Sequence, residues 1–208
     1  MSRLPDKTVE RLSIYRRTLL NCLGEGKTHI FSHELAYLHN ITAVQVRRDI
    51  MFIGYASSQK KGYDVKELIA VIGKILDAEE GNKVAVVGIG NLGRAITAYF
   101  AGKRPKLNIV AAFDNDPDKI GRVISGVKCY DARTLAELAT EHSITIAILT
   151  VPTEQAPEVA EKLVLAGIRG ILNFTGIPLN VPAHICLEDY DMITSLEKVA
   201  YLVNRQGR

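Results

Sequence analysis

Gly88, Gly90 and Gly93 stand at a Gly-x-Gly-x-x-Gly spacing, a pattern whose chemistry is the holding of phosphate. Val84-Ala85-Val86-Val87 before them reads as a buried strand, and Arg94-Ala95-Ile96-Thr97-Ala98-Tyr99-Phe100 after them has helical patterning. Gly88 permits the tight turn, Gly90 lets the backbone approach a pyrophosphate, and Gly93 lets helix and strand pack closely. Asn91 and Leu92 lie between, where the helix N-terminus offers unpaired N–H groups and partial positive charge. A second apolar stretch, 107–113, ends at Asp114, about twenty residues beyond the loop, as dinucleotide-binding units require. A carboxylate there can accept from the adenosine ribose hydroxyls and repels a 2′-phosphate, which favours NAD(H) over NADP(H). Two readings stay open beside this one: a glycine turn that holds nothing, and an Asp114 that only caps the turn Asp114-Asn115-Asp116-Pro117.

The elements that position these residues alternate from residue 83 onward. Strands are expected at 83–87, 107–113, 127–130, 145–151, 170–173 and 184–187, with helices between them, notably 132–142 and 154–166. That alternation predicts a Rossmann-like α/β unit, a parallel sheet covered on both faces. Ligands in such sheets lie at the carboxyl ends of the strands. Thr150-Val151-Pro152 and Asn173-Phe174 end the fourth and fifth strands and are expected to flank the dinucleotide, although the same residues also suit plain turns.

The first 80 residues are organised differently. A helix is expected over 5–23, with Val9, Leu12, Leu19, Leu20 and Leu23 as its apolar face. A short helix, 33–39, follows, capped by Ser32 and turning Leu35, Ala36 and Leu38 to a core. Asn40 breaks it, and Thr42 opens a third helix, with Gln45 completing a capping box. Two short helices joined by a tight turn, with Arg47 and Arg48 on the second, make a helix-turn-helix. Tyr55 and Tyr63 bracket a polar tip holding Lys60 and Lys61, which suits a β-hairpin wing. A fourth helix is expected from Asp64 to about Glu79. The fold expected is therefore α/β, with a winged helix-turn-helix over 1–80, a dinucleotide unit over 81–189, and a terminal helix over 190–208.

Charge divides along the same line. Residues 1–63 carry ten Lys and Arg against five Asp and Glu, leaving sixteen against eighteen for the remainder. The excess positive charge sits on the helix-turn-helix, which points to double-stranded DNA as partner. Thr42, Gln45, Arg47, Arg48, Lys60 and Lys61 are the expected DNA contacts: arginine to guanine edges or phosphate, glutamine to adenine, and the wing lysines to the backbone or minor groove. No apolar run reaches the roughly 18 residues of a membrane span. The start lacks the apolar core of a secretory signal, and Cys22, Cys129 and Cys186 lack metal or disulfide spacing. A cytoplasmic protein without a metal site is expected. The terminal helix places Met192, Ile193, Leu196, Val199, Ala200, Leu202 and Val203 at helical spacing. Such a face needs a partner surface, either its own domain or, preferred here, a second subunit.

Val44-Gln45-Val46-Arg47-Arg48-Asp49-Ile50, Gly88-Ile89-Gly90-Asn91-Leu92-Gly93-Arg94-Ala95, Phe113-Asp114 and Asn173-Phe174 together resemble the Rex family of bacterial redox-sensing repressors, over almost the whole chain. The resemblance implies a homodimer, built by exchanged terminal helices, that binds palindromic operators when NADH is scarce and leaves them when NADH rises. It also implies a switch at Arg17, Tyr99 and Asp191: Arg17 and Asp191 pair across subunits in one state, and Tyr99, beside the nicotinamide, takes over in the other. The chain departs from the family's usual wording at 50–54 and 174–178.

Two other functions are open to these residues. A small NAD-dependent oxidoreductase needs an acid or base beside the nicotinamide. Only one helix follows the dinucleotide unit, leaving no room for a substrate domain. His142 and His184 are the histidines outside the first domain, and His184 is the better candidate. A coenzyme A-binding module is the third possibility, against which Asp114 would sit badly beside a 3′-phosphate. No catalytic residue is assigned, and the protein is expected not to be an enzyme.

Overall fold

A computed structural model describes residues 4–56 and 61–206. The chain divides into two compact units, Met1–Glu79 and Glu80–Arg208.

In the first unit α1 (Asp6–Gly24) packs on α4 (Val65–Leu76), with α2 (Ser32–Leu38) and α3 (Ala43–Phe52) as the helix pair. Leu12, Tyr15, Leu19 and Cys22 form the buried face of α1, against Leu35, Val46, Ile50, Leu68 and Ile72. Tyr15 replaces Val9 and Leu20 in the expected stripe, both of which are exposed, because its hydroxyl finds a buried partner in Asp49 at 2.9 Å. Leu38 is also exposed, contrary to expectation. Ser32 lies inside α2; the helix is capped instead by Glu34, whose carboxylate accepts the Phe31 N–H at 2.7 Å. The small sheet joins β1 (His29–Ile30) to β2 (Tyr63–Asp64), antiparallel. The expected hairpin flanks are thus not paired with each other among the described residues: Tyr63 pairs with Ile30, and Tyr55 meets Tyr63 only ring to ring. Lys60, at the expected wing tip, lies outside the described residues.

The second unit is a seven-stranded sheet in the order β5-β6-β4-β3-β7-β8-β9. Its strands are β3 (Asn82–Val87), β4 (Leu107–Asp114), β5 (Val123–Ile124), β6 (Val127–Asp131), β7 (Ile146–Leu149), β8 (Gly170–Asn173) and β9 (Cys186–Asp189). All pairings are parallel except β5 with β6, a short hairpin that periodicity did not predict. Strand period 2 sends Ala85 and Val87 to one face, against α6 (Leu135–Glu141) and α7 (Ala156–Leu165), and Val84 and Val86 to the other, against α5 (Asn91–Phe100). The chain runs outward from β3 in both directions, so β3 and β7 bound the switch point, where the carboxyl ends of the strands open a crevice.

After β9, α8 (Met192–Gln206) carries its apolar residues in water: Ile193 is 71% exposed, Leu196 69% and Val203 61%. Asp191 caps it, accepting from the Ile193 N–H at 2.8 Å and the Thr194 hydroxyl at 2.6 Å.

Candidate functional site

The glycine loop is built as a cradle. Gly88 adopts φ +90°, where a side chain is strained, and a Cβ there would stand 2.8 Å from the Thr150 carbonyl oxygen. A Cβ at Gly93 would overlap the Gly88 carbonyl oxygen. Both glycines are therefore required by the protein's own backbone. Gly90 differs: a Cβ there would meet no protein atom within 4 Å and would project into the crevice. Thr150 fixes the loop from the neighbouring strand, its hydroxyl donating to the Gly88 carbonyl at 2.6 Å. Gly90 opens α5 without a side-chain cap, so the first-turn amides remain available to an acceptor.

Asp114 closes the other side. One carboxylate oxygen accepts the Ile89 N–H of the glycine loop at 2.9 Å, and the other accepts the Asp116 N–H at 2.9 Å. Lys119 reaches Asp114 at 3.1 Å and Asp116 at 3.3 Å. Burial works to lower the Lys119 ammonium, but these carboxylates outweigh it and raise its pKa. Asp114 thus does cap its turn, and it also clasps the loop, a bond that spacing alone did not reveal.

The crevice holds about 1070 Å³. Of the expected residues, Gly88, Gly90, Asn91, Leu92, Asp114, Thr150, Val151 and Pro152 line it. Gly93, Asn173, Phe174 and Tyr99 do not. Gly93 is packed beneath the loop. The buried Asn173 spends its amide inside the unit, donating to the Ile177 carbonyl at 2.8 Å and to Asp189 at 2.7 Å. Phe174 turns to Tyr190, ring centroids 5.1 Å apart. Tyr99 is exposed, with the Lys103 ammonium 3.2 Å above its ring. The far wall, missed in the sequence, comes from Asp116, Lys119, Leu135, Val159 and Lys162. Neither His142 nor His184 lines the crevice, and no group of three potential metal ligands occurs among the described residues.

The candidate DNA surface lies in the first unit. The Thr42 hydroxyl accepts the Gln45 N–H at 3.1 Å, as its capping role requires. The return half of the capping box is absent, because the Gln45 amide donates to Asp49 at 2.9 Å instead. Asp49 is buried and takes two further donors, the Arg11 guanidinium (2.6 and 2.7 Å) and the Tyr15 hydroxyl. Burial favours its protonated form, but hydrogen bonds from Arg11, Gln45 and Tyr15 prevail and hold the carboxyl below its ordinary pKa. This cluster bolts α3 to α1. Arg47 and Arg48 are exposed, and Arg47 also donates to the Ser32 hydroxyl at 3.1 Å. Lys61 is exposed, and Arg17 is exposed on α1.

A helix-turn-helix unit joined to a glycine-cradle α/β unit defines a ligand-responsive DNA-binding regulator. Residues 3–50 match the family model described as "Putative DNA-binding protein N-terminus", and residues 79–177 match "CoA binding domain". The redox-sensing transcriptional repressor Rex of Lactobacillus acidophilus is 36% identical, covering 98% of this chain and 97% of its own length. That of Bacillus licheniformis is 38% identical, covering 97% and 94%. A crystal structure of RSP in complex with β-NAD+ and operator DNA is similar with a TM-score of 0.89 at 33% identity, covering 100% of this chain and 95% of RSP. RSP with β-NADH gives 0.87 at 32%, covering 100% and 97%. The chain belongs to the Rex family of redox-sensing transcriptional repressors, and its relatives there are regulators rather than enzymes.

Proposed function

We propose that this chain is a cytoplasmic, homodimeric repressor that binds palindromic operator DNA through α3 and gives it up when NADH fills the crevice. The observation that carries the dinucleotide reading is Gly90, a glycine no protein atom requires, at the mouth of a cradle whose other glycines the backbone does require. The first-turn amides of α5 suit a pyrophosphate, and Asp114 suits a ribose diol and disfavours a 2′-phosphate. RSP, seen with NAD+ and operator DNA and with NADH, has the same two ligand classes.

Dimerisation follows from α8. Its apolar stripe is exposed, and Ile146, Leu172 and Phe174 on the α5 side of the sheet are only partly buried. An exchanged helix lets two copies cover such surfaces for each other. Two-fold symmetry then sets the spacing of the two α3 helices against successive major grooves. The regulatory step is a difference in affinity: the helix spacing that favours the dinucleotide is the one that mismatches the operator. In this reading Arg17, Tyr99 and Asp191 couple the states, Arg17 and Asp191 pairing across subunits in one of them. All three are exposed, and a switch would have to draw Asp191 from its cap on α8 and Tyr99 from beneath Lys103. Gel-shift titration on a palindromic, A·T-rich operator tests the reading. NADH is expected to abolish a complex that NAD+ leaves in place; equal effects of both nucleotides, or turnover of either, would refute it.

A further inference from the structure

The solvent face of α3 is mixed in character. Val46, Asp49 and Ile50 are buried, leaving Val44, Arg47, Arg48 and Met51 outward at i, i+3, i+4 and i+7. Val44 is 58% exposed, at the second helical position, two residues after the Thr42 cap. Its methyls sit one turn before two guanidinium groups, in the part of a recognition helix that reaches base edges. Gln45, the neighbouring polar candidate, has its amide tied to the buried Asp49.

We propose that Val44 is a specificity-determining residue of the operator contact, reading the C5-methyl of a thymine in the major groove. The proposal rests on the repressor reading above. The major groove shows a single apolar feature, the thymine methyl, and small apolar side chains are its natural contacts. Arg47 and Arg48 supply the charge that brings an anionic duplex to this face, so the occupant is DNA rather than an apolar protein surface. Gln45 is thereby a half-engaged neighbour, held by Asp49 at one N–H and left to bond a base or phosphate with the remainder.

The test replaces thymine by deoxyuracil, which removes only the methyl. An operator is selected from a random palindromic pool with the full chain, and each thymine of the half-site is exchanged in turn, symmetrically. At one position the parent is expected to bind about fourfold more weakly per half-site, the equivalent of roughly 0.8 kcal/mol for one buried methyl. Val44→Ser, at an exposed position, is expected to bind the thymine and uracil forms alike, while Val44→Thr, which keeps one methyl, retains part of the discrimination. If no uracil exchange weakens the parent, the proposal is overturned and the repressor reading stands. If Val44→Ser weakens both forms equally without erasing the difference, Val44 is not the reader. Failure to select any DNA overturns the repressor reading and this inference together.

Discussion

Gly90 and Gly93, three residues apart in one loop, are expected to fail in opposite ways when changed to alanine. Gly90 has φ −72° and ψ −162°, an extended backbone open to any residue, and its added methyl meets only the crevice. The folded unit should lose nothing. The stiffer unfolded chain should add about 0.4–1 kcal/mol. The methyl would, however, hold a pyrophosphate off the first-turn amides. Losing a single hydrogen bond to a charged oxygen costs about 1.5–3 kcal/mol, which is roughly a tenfold to hundredfold weaker affinity. Gly93→Ala forces a methyl onto the Gly88 carbonyl oxygen and 3.0 Å from the Thr150 hydroxyl oxygen. Overpacking of this kind costs about 1–3 kcal/mol of stability, before any ligand is considered. Thermal melts and calorimetric NADH titrations of both variants separate the effects. A Gly90→Ala protein that melts with the parent and binds NADH as tightly refutes the cradle; a Gly93→Ala protein of parental stability refutes the packing argument.

Asp114→Ala is expected to weaken NADH binding and, by freeing the Ile89 N–H, to loosen the glycine loop; calorimetry and backbone amide exchange at Ile89 check the two parts separately. Because the Asp49 carboxyl is depressed in the folded state, the stability it contributes is complete above its unfolded pKa of about 3.9 and is lost as pH falls through the lower folded value. Acid melts of the parent should therefore show a stability loss below about pH 4 that Asp49→Asn largely lacks, the variant starting from a lower neutral-pH stability. Arg47→Ala should lower operator affinity by roughly 1–3 kcal/mol and relax the preference at one base pair, measured by competition gel shift at fixed salt. Truncation after Tyr190 should convert the dimer to monomers or aggregate in light scattering and abolish operator binding; a truncated dimer that still binds would sink the exchanged-helix model.

Much of this architecture was legible because its signals are local. The strand–glycine–helix sequence around 84–100 and the acidic residue at the end of the next strand are features of short windows, and the α/β alternation follows from them. The crevice's far wall was not legible: Lys119, Val159 and Lys162 carry no shared pattern and meet only through the sheet order. The α1 stripe misled for a similar reason. Periodicity marked Val9 and Leu20 as apolar, while the deciding fact was a buried carboxylate 34 residues from Tyr15 that rewards a hydroxyl on the inner face. Gln45 fits a capping box by spacing and loses its side chain to that same carboxylate. Asn173 and Phe174 sit at a strand end as ligand residues do, while in this structure the Asn173 amide bonds Ile177 and Asp189 and the Phe174 ring lies against Tyr190.

The outward stripe of α8 has a consequence for gene dosage. If the exposed α8 stripe is covered by a second copy, as proposed, the chain reaches its active form by a second-order step. Below the dimer's dissociation constant, active repressor scales with the square of chain concentration, so halving expression removes about three quarters of it. Operators in a sparsely supplied cell would then open by dilution alone, with no change in the redox signal. A chain lacking α8 could still receive a helix from an intact one while giving none back, so co-expressed truncations would act as poisons rather than as silent fragments.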